Sequence, residues 1–204
     1  MTPMIPDLEA YFRGLVPPRD ELLLALEAEA EQEGIPIVGP VVGELLFILA
    51  RATGAQSLLE LGTATGYSAI FLARGCQPQG LLLTLESDPQ MAARARANLR
   101  RAGLVERVEV RVGEALEQMP ILSGPFDLIF LDIDKESYLP ALDHCQRLLK
   151  VGGLLLADNV AFAGAEAFNR EICRRREWRV VHLLGLLPQH SPEKDGLCLA
   201  VRVE

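Results

Sequence analysis

Short apolar runs alternate with helical patterns along the chain from Ser57 to Arg176. Apolar runs bounded by Gly, Pro or acidic residues are typical of buried strands, whereas apolar residues spaced three and four positions apart are typical of amphipathic helices. Regular alternation of the two predicts an α/β fold in which a mostly parallel sheet carries helices on both faces. The pattern predicts strands near residues 57–61, 81–85, 107–112, 126–132 and 153–157, and helices near residues 67–74, 89–102, 114–119, 137–149 and 164–176.

The end of the chain departs from this alternation. Arg179–Leu184 and Leu197–Val203 are both strand-like, and Leu187–Gly196 between them is a loop without a helix. Two strands joined in this way favour an antiparallel hairpin. We therefore expect seven strands, with the hairpin closing the sheet.

The segment before the first strand carries only helical patterns. We expect these helices to cover the sheet rather than to form a second domain. The chain is then a single domain, 1–204, with an N-terminal helical cover at 1–55 and an α/β core at 56–204. The helical patterns of the cover lie at about 8–14, 19–33 and 40–53.

Composition narrows the class of protein. A chain of 204 residues with 50% hydrophobic and 24% charged residues is typical of one globular domain with a sizeable core. The net charge of -8 argues against a broad nucleic-acid surface, which needs an excess of Lys and Arg. The four Cys residues form no C-x-x-C pair and follow no secretory leader, which favours reduced thiols in a cytoplasmic protein without structural zinc. No apolar run approaches the roughly 20 residues that span a bilayer, so we expect no membrane segment.

Ser57–Leu72 combines a buried strand, a Gly-containing loop and a helix. Gly62 and Gly66 lack a Cβ atom, so the loop can bring backbone N–H groups close to a ligand, and the helix adds a positive dipole end. A dinucleotide loop has the form G-x-G-x-x-G, whereas here two Gly residues are followed by the bulky Tyr67. Glu60 followed by Gly62 and Gly66 therefore favours S-adenosylmethionine over a nicotinamide cofactor.

Glu86 ends the second apolar run, Leu81–Leu85. In nucleotide-binding α/β folds, an acidic residue at the tip of the second strand accepts hydrogen bonds from both ribose hydroxyls. The alternative is a solvated acid before the helix that starts near Pro89. The Gly loop that precedes Glu86 in the chain favours the ribose contact for Glu86, and thus an adenosine-like ligand across the strand tips.

Polar side chains also follow two later strands. Asp132 ends the fourth predicted strand, Lys135 comes shortly after it, and Asp158 and Asn159 follow the fifth. Ligands of open α/β sheets bind at the carboxyl ends of the strands, so we expect these groups to face the same crevice as Glu60 and Glu86. Three oxygen donors without His or Cys suit a hard cation such as Mg²⁺. Each residue alone has a structural alternative, namely a helix N-cap, a turn or a solvated charge.

Four motifs resemble those of the cation-dependent O-methyltransferases, the family of catechol and caffeoyl-CoA O-methyltransferases and their small bacterial relatives. The resemblance covers about residues 8–160 closely and the remainder loosely. It implies the Rossmann-like fold of class I S-adenosylmethionine methyltransferases, with a mostly parallel seven-stranded sheet and an antiparallel last strand. The motifs are ELGTATGYS from Glu60, FDLIFLDIDKESY from Phe126, LLKVGGLLLADNV from Leu148 and DGL from Asp195.

The resemblance also implies roles for individual residues. Lys135 would be the general base, and a divalent cation, Mg²⁺ or else Mn²⁺ or Ca²⁺, would bind to Asp132, Asp158 and Asn159. The residues implied in binding S-adenosylmethionine are Glu60, Gly62 and Ser68 at the methionine part, Glu86 at the ribose, Gly113, Glu114 and Ala115 around the adenine, and Thr63, Val38 and Asp132 elsewhere in the cofactor pocket.

These roles imply methyl transfer to a hydroxyl of a small aromatic substrate with two vicinal oxygens, as in a catechol. Chelation by the cation lowers the pKa of such a hydroxyl, and Lys135 accepts the proton. Two segments near the acceptor depart from the family pattern, because Val160–Phe168 is shorter and Leu187–Gly196 is longer. The identity of the acceptor therefore stays open.

The main alternative is O-methylation of 5-hydroxyuridine in tRNA. VPPRDELLLALEAEAEQEGIPI, from Val16, also resembles bacterial members with that activity. Weaker alternatives are a dinucleotide-dependent reductase, which the Gly spacing disfavours, and a non-enzymatic binding protein, which Lys135 and the cation donors disfavour. We also expect a homodimer. The residues that would contact tRNA phosphates are Arg170, Arg174, Arg175, Arg176 and Arg179.

Overall fold

The computed structural model describes residues 2–204 and contains one seven-stranded sheet. The strands are β1 (Ser57–Leu61), β2 (Leu81–Glu86), β3 (Val108–Val112), β4 (Phe126–Leu131), β5 (Leu149–Ala157), β6 (Trp178–Leu186) and β7 (Lys194–Arg202). Their order across the sheet is β3-β2-β1-β4-β5-β7-β6. Strands β1 to β5 pair in parallel, whereas β7 is antiparallel to both β5 and β6. The predicted sheet, mostly parallel with an antiparallel last strand, is confirmed.

Helices precede the sheet and connect its strands. Several begin at a capping side chain, as where the Asp20 carboxylate accepts a hydrogen bond from Leu23 N (2.9 Å) and the Asp88 carboxylate accepts one from Gln90 N (2.7 Å). The α-helices are α1 (Leu8–Arg13), α2 (Glu21–Glu33), α3 (Gly39–Ala52), α4 (Tyr67–Gly75), α5 (Pro89–Arg101), α6 (Ala115–Gln118), α7 (Tyr138–Leu148) and α8 (Glu166–Arg174).

Alternate residues of the central strands face opposite sides of the sheet. In β1, Leu58 packs into one apolar cluster and Leu59 into another, and in β4, Phe130 and Leu131 divide in the same way. The first cluster also contains residues of α3, α4 and α5, and the second contains residues of α6, α7 and α8. Helices therefore cover both faces, as the alternation predicts.

Strand β5 is longer than its apolar run. It begins at Leu149 rather than near residue 153, because Leu149 already pairs with Phe126 of β4. Exposed residues then form an irregular step before Leu154 pairs with Leu128. These residues carry no buried pattern, so hydrophobicity alone does not mark the start of the strand.

The final hairpin is also longer than predicted. Its strands stay paired as far as Leu186 and Lys194, so the connecting loop is 187–193 rather than Leu187–Gly196. The paired residues at this end of β6 are exposed or half-buried, including Leu184 at 83% exposure. Backbone pairing, not burial, extends the strands here.

The N-terminal cover is held to the rest of the chain in two ways. Helix α2 buries Leu23, Leu26 and Ala30, whereas α1 has no buried residue and is connected by ion pairs. Arg13 makes a bidentate pair with Glu193 in the loop between β6 and β7, with distances of 2.7 and 2.6 Å. Among the described residues, no helix is both long enough and apolar enough to cross a bilayer.

Candidate active site

The loop between β1 and α4 passes directly against the end of β4. Gly62 adopts a φ of +97°, and a Cβ atom at this position would lie 2.0 Å from the Asp132 carbonyl oxygen. Gly62 is therefore required for this close approach. Gly66, with a φ of +85°, is the N-cap of α4, so the loop leads straight into the helix.

The Glu86 carboxylate at the end of β2 fixes this loop. Its Oε2 atom accepts hydrogen bonds from Thr63 N (3.1 Å) and Ala64 N (2.7 Å), and its Oε1 atom accepts one from Asp88 N (2.9 Å). Charge-assisted bonds to N–H donors compensate for the burial of this carboxylate, which is 9% exposed. The Glu86 side chain thus has a defined orientation at the end of β2, against the Gly loop.

Glu60 lies in the middle of the sheet and is fully buried. Its Oε2 atom accepts a hydrogen bond from Thr84 Oγ1 (2.6 Å), which in turn lies 2.5 Å from Thr63 Oγ1, whereas Oε1 has no partner. Burial raises the pKa of Glu60 to about 8, although the hydroxyls of Ser68 and Thr84 oppose this rise. Through Thr84 and Thr63, Glu60 therefore supports the Gly loop from below.

A cavity of about 350 Å³ opens between the Gly loop and the carboxyl ends of the strands. Lys135, Asp158 and Asn159 line it together with the predicted cofactor residues other than Glu60. The structure thus brings the predicted cofactor, cation and catalytic residues to one cavity. The cofactor residues in its wall are Val38, Gly62, Thr63, Ser68, Glu86, Gly113, Glu114, Ala115 and Asp132.

Lys135 lies in the turn after β4, beside Asp132. Its Nζ atom donates hydrogen bonds to Asp132 Oδ1 (2.8 Å) and the Ile133 carbonyl (3.0 Å), and lies 5.2 Å from the centre of the Tyr138 ring. Burial and the negative charge of Asp158 raise the pKa of Asp132, while the Lys135 charge opposes this rise. The chain therefore holds the Lys135 amine at the cavity wall, next to a predicted cation ligand.

Asp158 follows β5 and is 1% exposed. Its backbone N–H donates to the Leu131 carbonyl (3.1 Å), which brings the ends of β5 and β4 together. Its two carboxylate oxygens lie 3.0 and 2.9 Å from Nε2 of His190. Burial lowers the pKa of His190, but the hydrogen bond and charge of Asp158 outweigh burial and leave this pKa above its ordinary value.

Sequence reasoning missed His190. It is one of three His residues in the chain and lies in the loop between β6 and β7, among polar residues with no metal-ligand spacing. Its 5% exposure results from the hairpin folding back onto the end of β5. That approach is a tertiary contact, so no local sequence signal identifies it.

The predicted cation donors differ from an ordinary His, Cys and carboxylate cluster. The described residues contain no group of three or more His, Cys, Asp or Glu side chains arranged to hold a metal ion. The predicted set consists instead of two carboxylates and one amide, Asp132, Asp158 and Asn159, at the ends of adjacent strands. Three oxygen-bearing side chains around one cavity fit a hard divalent cation.

The Arg residues that the tRNA alternative requires lie outside this cavity. Arg170 pairs with Glu166 (2.5 Å), and Arg175 pairs with Glu171 (3.0 Å). These two of the five guanidinium groups therefore have carboxylate partners in the folded chain.

Comparisons with known proteins agree with this geometry. A family model described as O-methyltransferase matches residues 20–188. The chain is 42% identical over 192 residues to a catechol O-methyltransferase of Mycobacterium tuberculosis, a match that covers 91% of this chain and 86% of the relative. It is 35% identical over 216 residues to a catechol O-methyltransferase of Niastella koreensis, covering 95% and 96%. The crystal structure of an O-methyltransferase from Bacillus cereus in complex with SAH matches with a TM-score of 0.86 at 30% identity, covering 96% of each chain.

The sheet order, the Gly loop and the acid at the tip of β2 are those of a Rossmann-like nucleotide-binding fold, and the matching O-methyltransferase with bound SAH makes it the fold of an S-adenosylmethionine methyltransferase. Within that class, the chain belongs to the O-methyltransferase family. The resemblance inferred from its four motifs is confirmed, and the protein is an S-adenosylmethionine-dependent O-methyltransferase. Neither the reductase nor the non-enzymatic binding protein is supported.

Proposed function

We propose that this enzyme methylates one of two vicinal hydroxyls on a small aromatic molecule, as in a catechol, with the help of a divalent cation. The observation that carries the proposal is the meeting of Asp132, Asp158 and Asn159 in the cavity that also contains the Gly loop and Glu86. Two relatives of high coverage are named catechol O-methyltransferases, which supports the same acceptor class.

In this proposal the Gly loop and Glu86 hold S-adenosylmethionine, which supplies a methyl group on a positively charged sulfur. Glu86 accepts hydrogen bonds from the ribose hydroxyls, and Gly113, Glu114 and Ala115 lie beside the adenine. Val38 and Ser68 complete the pocket around the rest of the molecule. Glu60 acts indirectly, since its contacts to Thr84 and Thr63 support the loop from below.

Asp132, Asp158 and Asn159 would hold the cation, which is Mg²⁺ or else Mn²⁺ or Ca²⁺. When bound, a divalent cation lowers the pKa of hydroxyls that it contacts. The two carboxylates supply negative charge, and Asn159 supplies a neutral oxygen.

Lys135 is the proposed general base. Its Nζ atom is anchored by Asp132 and the Ile133 carbonyl, so the amine has a fixed place at the cavity wall. In its neutral form, the amine accepts the proton of the attacking hydroxyl. Because Lys135 lines the same cavity as Asp132, Asp158 and Asn159, the base lies in the cavity where the cation would hold the attacking hydroxyl.

The region next to the first cavity, where we place the methyl acceptor, favours a small molecule over tRNA. A second cavity of about 640 Å³ adjoins the first and shares Pro36, Ile37, His190 and Ser191 with it. Its wall combines apolar side chains with three carboxylates and a single Arg residue. An aromatic ring suits the apolar part, whereas a phosphate backbone is repelled by the carboxylates. The charged residues are Arg19, Glu27, Glu31 and Glu193.

The test is a methyl-transfer assay with labelled S-adenosylmethionine. Catechol should be methylated, whereas hydroquinone, an isomer whose hydroxyls are not vicinal, should be a much poorer acceptor. Excess EDTA should stop the reaction, and Mg²⁺, Mn²⁺ or Ca²⁺ added afterwards should restore it. Full turnover of catechol in EDTA contradicts the role of the cation. Methylation of tRNA containing 5-hydroxyuridine, without turnover of catechol, supports the alternative acceptor.

We also propose a homodimer in the cytoplasm. Light scattering during gel filtration should give a mass near twice the 22.3 kDa of one chain. A monomeric mass at micromolar concentration contradicts the dimer. Cell fractionation tests the location.

A further inference from the structure

Asp195, the first residue of the DGL motif, is a fully buried carboxylate with an unusual set of partners. It is 0% exposed, and no Lys, Arg or His nitrogen within residues 2–204 forms an ion pair with it. Its Oδ1 atom accepts hydrogen bonds from Gly196 N (2.6 Å) and Ala161 N (3.3 Å), and its Oδ2 atom accepts one from Asn159 Nδ2 (2.6 Å). Burial of a carboxylate costs stability unless hydrogen bonds or nearby charges compensate, and these three hydrogen bonds supply such compensation.

The bond to Asn159 determines which way the amide of Asn159 is turned. A carboxylate only accepts hydrogen bonds, so the Asn159 atom that faces Asp195 must be the NH₂ group. The same NH₂ group lies 3.3 Å from the Ser191 carbonyl, a second acceptor. Both contacts require the same orientation. The oxygen, Oδ1, is then left for the cavity, and no described residue donates a hydrogen bond to it.

The orientation matters because the two ends of an amide have opposite polarity. With Oδ1 in the cavity, Asn159 presents a partial negative charge next to Asp132 and Asp158. With the amide reversed, it would present two N–H donors, which repel a cation. The backbone of Asn159 is also fixed, in the left-handed region at a φ of +50°. Which end of the Asn159 amide faces the cavity therefore depends only on rotation of the Asn159 side chain.

We propose that Asp195 is a positioning residue for the divalent cation. It holds the Asn159 amide so that Oδ1, not Nδ2, completes the oxygen donor set with Asp132 and Asp158. This inference rests on the cation site of the proposed function. It gives the DGL motif a physical role at the site, through a contact between the start of β7 and the end of β5.

The first test is Asp195→Asn, with Mn²⁺ binding measured by electron paramagnetic resonance of the free ion. The new amide must direct its NH₂ group either at the N–H groups of Gly196 and Ala161 or at Asn159. If the NH₂ group points at Asn159, the amide oxygen at position 195 keeps the bonds from Gly196 N and Ala161 N, so fewer hydrogen bonds are lost. This arrangement requires the Asn159 amide to reverse, because its oxygen must then face position 195. We expect the Kd for Mn²⁺ to rise by about 10- to 100-fold, while the Kd for SAH, measured by calorimetry, changes little.

Asp127→Asn is the matched control. Asp127 also accepts two backbone hydrogen bonds, from Gln56 N (2.7 Å) and Ser57 N (2.8 Å), but unlike Asp195 it pairs with Lys150, and it lies at the opposite end of the sheet. We expect this variant to unfold at a lower temperature and to bind Mn²⁺ as the wild type does. A purely structural role of Asp195 predicts the same behaviour for Asp195→Asn.

Exchange of the two residues provides a rescue. In the double variant Asn159→Asp with Asp195→Asn, the amide at 195 donates to the carboxylate at 159, and an oxygen again faces the cavity. Mn²⁺ affinity should return toward the wild-type value. Affinity no better than that of Asp195→Asn overturns the proposal, and so does a folded Asp195→Asn that binds Mn²⁺ normally. If Asp195→Asn does not fold, the double variant is compared with the wild type instead, and a Kd for Mn²⁺ at least about 10-fold above the wild-type value overturns the proposal.

Failure of the cation site itself gives a different result. If the wild type binds no Mn²⁺, or if Asp158→Ala binds it unchanged, the cation site of the proposed function is wrong. If the wild type binds Mn²⁺ and Asp158→Ala does not, the site stands, and the Asp195 variants then test only the positioning role.

Discussion

Lys135 Nζ lies 2.8 Å from Asp132 Oδ1, so the proposed base is anchored by a proposed cation ligand. Removal of the amine should affect proton transfer more than binding. We expect Lys135→Ala to lower kcat by about 10²- to 10⁴-fold with little change in KM for either substrate. Steady-state kinetics with catechol measure both constants.

The acidity of the acceptor provides the sharper comparison. A catechol that carries a nitro group ionises more readily, so the loss of kcat caused by Lys135→Ala should be smaller with this acceptor than with catechol. Lys150→Ala, which removes an amine paired with Asp127 at the other end of the sheet, should have wild-type kinetics. An equal loss of kcat for both acceptors would make Lys135 an electrostatic or positioning residue instead of the base.

Glu86 has two roles in the proposed site, because the same carboxylate that should bind ribose also accepts hydrogen bonds from the loop at Thr63 and Ala64. Glu86→Gln keeps the size of the side chain but removes the charge. We expect the Kd for SAH to rise by about 10- to 100-fold, since a hydrogen bond to a charged group contributes about 1.5–3 kcal/mol. Calorimetric titration measures this, with the exposed Glu109→Gln as control. Unchanged SAH binding by Glu86→Gln contradicts the ribose contact.

Much of the site follows from the sequence because it lies at strand ends. The carboxyl ends of neighbouring parallel strands meet at one edge, so Asp132 after β4 and Asp158 after β5 come together once the sheet is inferred. Gly62 is similarly informative, because a backbone carbonyl at such close range requires a residue without Cβ. Local sequence pattern and sheet topology are sufficient to predict where these residues lie.

Other features depend on packing that the sequence does not display. Glu60 pairs with Thr84 across β1 and β2, and this register buries the acid under the loop rather than at the cavity wall. His190 meets Asp158 through a hairpin that folds back over β5, and Asp195 meets Asn159 in the same way. The partners in each of these pairs are more than twenty residues apart in the chain, so no local pattern links them.

Gly62 should be far less tolerant of a side chain than another Gly with a similar backbone. Gly34, at the end of α2, has a φ of +66°, and a Cβ atom added there would have nothing within 4 Å, so Gly34→Ala costs only backbone strain. Gly62→Ala adds a collision with the Asp132 carbonyl oxygen at 2.0 Å. We expect the free energy of unfolding to fall by about 1–3 kcal/mol more for Gly62→Ala than for Gly34→Ala. Urea denaturation measures both, and equal losses would mean that the loop moves freely away from β4.

Glu60 should make the stability of the protein depend on pH. Its pKa is about 8 in the folded chain, against roughly 4.3 when unfolded. Between these values the folded state retains a proton that the unfolded state has lost. The free energy of unfolding therefore decreases as pH rises, by up to about 1.4 kcal/mol per pH unit, and this contribution levels off above pH 8.

Glu60→Gln removes this titration while an amide oxygen can still accept the hydrogen bond from Thr84 Oγ1. We expect the variant to gain stability relative to the wild type as pH rises from 5 to 8, with no further gain at pH 9. Urea denaturation at each pH provides the comparison, and the exposed Glu106→Gln controls for loss of one carboxylate. Parallel profiles for Glu60→Gln and the wild type would show that Glu60 titrates alike in the folded and unfolded chains. That result would contradict a desolvated acid beneath the Gly loop, since the raised pKa arises mainly from burial.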